Sequence, residues 1–130
     1  MIKLVSILNE LNAEDAIPMK IARTIFARIS NELDTRFSDG YETCTFAVKE
    51  LGKDLIENGV KFYVISGEYD GGGHFWIKTW AGLILDIGNN IKNEFIESGH
   101  IKPIITRNGS RYKEEDSMSY KEFLSYMRSI

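Results

Sequence analysis

The stretch "DGGGHFWIKTWAGLILDIG", Asp70–Gly88, decides how the chain is read. After three glycines, His74 opens a run of strand composition, "HFWIKT". A glycine-containing turn follows, then a second run, "LILDI", that carries Asp86. β-Branched and aromatic runs bounded by turn formers are the signature of a hairpin. Its loop length decides the chemistry, because a one-residue slip turns every side chain to the other face. A two-residue loop, Ala81-Gly82, pairs Trp80 with Leu83 and turns Asp86 away from His74. A three-residue loop, Trp80-Ala81-Gly82, pairs Thr79 with Leu83 instead. Asp86 then stands opposite Trp76, with His74 as its diagonal neighbour on the same face, about 7–8 Å away at the backbone. The common three-residue loop ends in a left-handed residue, usually glycine, and Gly82 holds that position. The favoured register therefore puts His74 and Asp86 together. It puts Phe75, Ile77, Leu83, Leu85 and Ile87 on the opposite face, as an apolar patch that the N-terminal helices or the last helix should cover.

A helix is expected upstream, from an N-cap at Thr43 to a left-handed C-cap at Gly59. Cys44, Val48, Leu51 and Leu55 repeat at helical spacing, so the thiol shares the face that packs on the sheet. The expected place of Cys44, in the first turn, favours thiolate over thiol through the helix dipole. Unpaired backbone N–H groups there are also suited to an oxyanion. A neighbouring histidine would activate the sulfur and later protonate a leaving group, and an acid would orient the imidazole. Taken singly, each residue has a plainer reading. Free cysteine is a common small core residue, a glycine-flanked histidine is usually a loop residue, and an acid at a strand end often faces water.

The rest of the chain supplies a frame. Ile2, Leu4, Val5, Leu8 and Leu11 predict a short first helix. Pro18 suits the first turn of a second helix running to about Leu33, with Ile21, Ala22, Ile25, Phe26 and Ile29 as its apolar stripe. "DTRFSDGYET" reads as a loop. "VKFYVISGEY" is a strand, "NNIKNEFIESGH" a short helix, and "IKPIITR" an edge strand because Pro103 cannot donate to a ladder. "RYKEEDS" reads as a solvated loop. Ser119 with Glu122 forms a capping-box pattern that opens a last helix to about Met127. Helices, then a mostly antiparallel sheet, then a helix make an α+β class.

Bulk properties narrow the partners. At 130 residues and 43% hydrophobic content the chain suits one domain, 1–130, with a core that needs no staples. The net charge of -3 does not suggest nucleic acid, whose footprint is a basic face. No apolar run approaches the ~20 residues that cross a bilayer, so no membrane is expected. "MIKLVSILNELNAED" reads as an amphipathic helix and not as a signal peptide, and a lone cysteine forms no internal disulfide; a cytoplasmic location is expected. The triglycine Gly71–Gly73 is not a phosphate loop, since no Gly-Lys-Ser/Thr follows. Cys44, His74, Asp86 and His100 lack any short Cys-x-x-Cys or His-x-x-x-His pair, so neither a metal nor a cofactor is expected. Trp76 and Trp80 are either a peptide-binding surface or partly buried packing.

The order of these pieces, "ETCTFAVKELGKDLIENGV", "KFYVISGEY", "HFWIKTW" and "LILDIG", resembles the transglutaminase-like superfamily of papain-type cysteine enzymes. The close spacing of Cys44, His74 and Asp86 looks most like the lasso-peptide leader peptidases of that superfamily. The resemblance spans residues 41–88. It implies a papain/transglutaminase-like fold and thiol acyl transfer on peptide or protein amides. Cys44 would be the nucleophile, His74 the general base and acid, and Asp86 the residue that orients His74. The chain departs from the pattern in three ways. Phe75 replaces a small residue between His and Trp, no tryptophan flanks Cys44, and there is no glutamine for a papain-style oxyanion hole. Tyr41 or Trp76 would then supply the second oxyanion donor beside the Cys44 backbone N–H. Two alternatives stand beside this reading: a non-catalytic adaptor that keeps the fold, and an NlpC-type cell-wall amidase. Asp86 favours the transglutaminase-like group over the amidase. Hydrolysis and transamidation both remain open.

Overall fold

The computed structural model describes residues 2–35, 40–89 and 103–129; for residues 2–14, 34–35 and 40–42 it describes the backbone alone. Among these residues the chain is α+β. Helices α1 (Ile2–Thr35) and α2 (Gly40–Glu57) come first. Strands β1 (Phe62–Tyr69), β2 (Gly72–Thr79), β3 (Ile84–Asp86), β4 (Ile104–Thr106) and β5 (Tyr112–Met118) follow, and helix α3 (Tyr120–Ser129) ends the chain. The strands form one antiparallel sheet in the order β4-β3-β2-β1-β5. No helix among the described residues is long and apolar enough to cross a membrane.

Local chemistry builds the sheet around two tight turns. Asp70 and Gly71 join β1 to β2 with φ of 47° and 85°, the all-positive pattern of a two-residue hairpin turn. Gly72 and Gly73 belong to β2, so that strand starts two residues before His74. The β2–β3 loop has three residues, as its glycine requires. Gly82 has φ 95°, its N–H donates to the Thr79 carbonyl, and the Thr79 N–H donates to the Leu83 carbonyl at 2.9 Å. Ile77 pairs with Leu85 and Lys78 with Ile84, so Asp86 falls opposite Trp76. The expected register is the observed one.

The core lies between the sheet and the helices. Val48, Leu51 and Leu55 of α2, with Cys44 in the same row, pack on the face formed by Phe62, Val64, Phe75, Ile77, Leu85 and Ile87. Ala22, Ile25, Ile29 and Leu33 of α1 close the cluster, and Phe123 of α3 meets Phe75 edge-on at 5.7 Å between ring centroids. Ser119 Oγ accepts from the Glu122 N–H while Glu122 Oε1 accepts from the Ser119 N–H, which completes the expected capping box.

Several expectations are corrected. Two helices broken near Pro18 are one, because Pro18 lies inside α1. A proline removes one backbone bond but has a helix-compatible φ, and both halves of the segment carry helical spacing. Helix α2 starts at Gly40, so the last residues of the supposed loop "DTRFSDGYET" form helix and Thr43 is a buried interior residue. "RYKEEDS" is mostly strand β5, an edge strand paired with β1 through a register shift at Ser66/Gly67. Its charged side chains suit an exposed edge, and backbone pairing leaves no mark on polarity. The segment expected as a short helix, 89–100, lies outside the described residues but for Asn89. The expected edge strand is present as β4.

Candidate active site

Strand β2 delivers His74 and strand β3 delivers Asp86, one pair of residues apart on adjacent strands. The diagonal contact is closed by the side chains: Nε2 of His74 stands 2.8 Å from Oδ1 of Asp86. Both are buried, at 3% and 1% exposure. With Nε2 turned to the carboxylate, Nδ1 is the ring nitrogen left for another partner. The Cys44 side chain lies close enough to act on the imidazole, raising its pKa both as a hydrogen-bonding group and by charge.

The meeting depends on how β3 leaves the sheet. Past Asp86 the chain runs over the N-terminal half of α2. A Cβ on Gly88 would collide with the Ala47 methyl and stand 2.9 Å from the Thr43 carbonyl oxygen and 3.0 Å from Cys44 Cα. Glycine is the residue that permits this approach. The end of β3 and the second turn of α2 are thus pressed together, which brings Cys44 close to the His74–Asp86 pair. Cys44 is fully buried, in a crevice shared with Ala47, Val48, Trp76 and Gly88 that is too tight for water.

Aromatic rings wall the pair. The Trp76 ring stacks on His74 at 5.9 Å and 22°, and Tyr112 packs on Trp76 at 4.9 Å and on Tyr69 at 4.8 Å. The other carboxylate oxygen of Asp86, Oδ2, accepts from the Tyr112 hydroxyl at 2.7 Å and from the Asn89 amide at 3.0 Å. Burial pulls the His74 pKa down. The hydrogen bonds and charges of Asp86 and Cys44 outweigh it and raise the imidazole to about 9. Burial, reinforced by Asp86, pushes the Tyr112 phenol upward, so its hydroxyl stays a donor across the working range.

The structure brings together four of the five residues expected at a site, Cys44, His74, Asp86 and Trp76. Trp76 is wholly buried, and its indole Nε1 has no hydrogen-bond partner among the described residues. Tyr41 falls in the first turn of α2, and its side chain lies outside the described residues, as does His100. One expected role is corrected. Because α2 starts at Gly40, Cys44 is in the second turn, where its N–H faces the Gly40 carbonyl within the helical ladder. It is not a free oxyanion donor, and the helix dipole acts on the thiol from a turn further away. Among the described residues, no group of three or more His, Cys, Asp or Glu side chains could hold a metal ion. Sequence reasoning missed Tyr112 and Asn89. The signal for Tyr112 was a lone aromatic in a charged run; Asn89 carried none.

No family model, curated protein or solved structure matches the chain. The reading of this site therefore rests on its own geometry.

Proposed function

We infer that the protein is a thiol-dependent acyl-transfer enzyme acting on peptide or protein amides, with Cys44, His74 and Asp86 as its triad. One observation carries the reading. A buried histidine bonded to a buried carboxylate, with a buried cysteine from a third element acting on the same ring, has its imidazole raised to about 9. An imidazole that holds its proton at neutral pH is suited to sit beside a thiolate. The resemblance of the Cys-helix, His-x-Trp and Asp order to transglutaminase-like cysteine enzymes agrees with it.

The steps follow from this arrangement. The Cys44 thiolate attacks an amide carbonyl carbon and a tetrahedral oxyanion forms. The C–N bond breaks, the His74 imidazolium gives its proton to the departing amine, and a thioester remains on Cys44. Water then attacks, giving its proton back to His74, and releases the acid; an amine in place of water gives transamidation. Asp86 holds the imidazole and balances its charge throughout. The Nε1–H of Trp76, which has no partner among the described residues, is the donor assigned to the oxyanion in place of the missing glutamine. The sulfur must be uncovered before an amide reaches it, since Cys44 has no exposure.

That burial favours a second reading, a binding protein in which the three side chains are only a polar cluster in the core. Alkylation of Cys44 by iodoacetamide across pH separates the two. An enzyme forms its thiolate well below the free-thiol value of ~8.5, and His74→Ala abolishes that low-pH reactivity. A thiol that reacts slowly, with an ordinary profile unchanged by His74→Ala, leaves the binding protein.

A further inference from the structure

We propose that Tyr112 is a positioning residue of this site: its hydroxyl, with the Asn89 amide, fixes the Asp86 carboxylate so that Oδ1 holds the His74 imidazole toward Cys44. The inference deepens the acyl-transfer reading and rests on it for its catalytic meaning. Tyr112 lies on β5, at the sheet edge farthest from β3, and its register partner is Tyr69. Its ring nevertheless reaches across the sheet to place the hydroxyl 2.7 Å from Asp86 Oδ2. The reach is braced by packing on Tyr69 and Trp76, the latter stacked on His74 in turn.

The division of labour is geometrical. A carboxylate has two oxygens in one plane. Two donors on Oδ2, at 2.7 and 3.0 Å, fix the rotation of that plane and leave Oδ1 to the imidazole at 2.8 Å. Without the donors on Oδ2, only the bond to the imidazole holds the carboxylate plane, and the orientation of the His74 ring toward Cys44 is less tightly set. A free phenol titrates near pH 10, but burial holds this one protonated, so it never becomes a second negative charge beside Asp86. Tyr112 touches no reacting atom; it acts through Asp86.

The test uses the full chain with His100→Gln, which leaves one imidazole to follow by NMR titration. Tyr112→Phe keeps the ring packing and removes only the hydroxyl. The expected result is a His74 midpoint lowered by about one pH unit or more from the parent value. Cys44 alkylation at pH 7 should slow alongside it, with a melting temperature lowered only modestly, as a drop in the folded pKa of His74 itself requires. Tyr112→Leu, which removes the packing as well, should lower both the midpoint and the melting temperature. A His74 midpoint unchanged in Tyr112→Phe overturns the assignment and leaves Tyr112 as packing. Should Tyr112→Phe not fold, Asn89→Ala removes the other Oδ2 donor; a lowered midpoint supports the assignment and an unchanged one overturns it. The outcome is separate from the fate of the enzyme reading. A parent chain whose Cys44 alkylates as an ordinary thiol defeats that reading, whatever the His74 midpoint does.

Discussion

His74 links the site's chemistry to the chain's stability. Its folded pKa, about 9, exceeds the ordinary 6.5, so the folded state binds the proton more tightly than the unfolded one. The stabilisation it contributes is fully present below about pH 6.5 and is lost as pH rises through about 9, with a slope of at most ~1.4 kcal/mol per pH unit for one proton. The measurement compares the parent chain with His74→Gln, so that the difference reads the imidazole's share. The excess of the parent's urea midpoint over that variant's should shrink between pH 6.5 and 9; a flat or growing excess contradicts the raised imidazole. At this scale the sequence was informative where types and spacing were unusual. A lone cysteine on an apolar helical row, a histidine beginning a strand run and an acid ending one were all legible. Tyr112 was not, because its role depends on a contact across the whole width of the sheet.

The elements differ in how far local chemistry defines them. Helix α3 is defined twice, by its spacing and by the reciprocal Ser119–Glu122 cap. Ser119→Ala removes the acceptor for the Glu122 N–H and should cost about 1 kcal/mol, read as a lowered urea midpoint with an unchanged slope. A loss of less than a few tenths would mean the cap is dispensable. The β2–β3 hairpin is likewise fixed by its turn, since Gly82 at φ 95° selects the three-residue loop and with it the face of Asp86. Strand β5 is the opposite case. Its central residues are exposed, and it is a strand because β1 offers an unpaired edge. Gly67 of β1 is part of that fit: a Cβ there would run into the Lys113 carbonyl where the ladder shifts register. Nothing in "RYKEEDS" announces such a partner. Helix α2 starts earlier than its composition predicts for a related reason. Turn-forming residues describe what a segment tolerates, and the first turn of a helix tolerates them too.

For the whole molecule the decisive contact is the crossing of the β3 exit over α2. It joins the two halves of the site and also seals the sulfur. Gly88→Ala sets a methyl group against backbone atoms of Thr43 and Cys44, which cannot yield as a side-chain end can. The expected cost is about 1–3 kcal/mol, read as a lowered melting temperature. The displaced segment should also expose Cys44 and speed its alkylation. A variant as stable as the parent, with an equally protected thiol, would show that this crossing does not close the site.

Sequence alone determined the α+β class, the hairpin register that puts His74 and Asp86 on one face, the apolar row of α2 and the cap of α3. Each rests on interactions within a few residues along the chain: periodicity, glycine φ, a reciprocal cap. Tertiary structure alone decided that α1 continues through Pro18, that β5 is a strand, that the thiol is sealed, and that Tyr112 and Asn89 hold Asp86. Those outcomes depend on which surfaces meet after collapse. A buried hydrogen bond between residues 26 positions apart, such as Tyr112 to Asp86, leaves no local pattern by which it can be read.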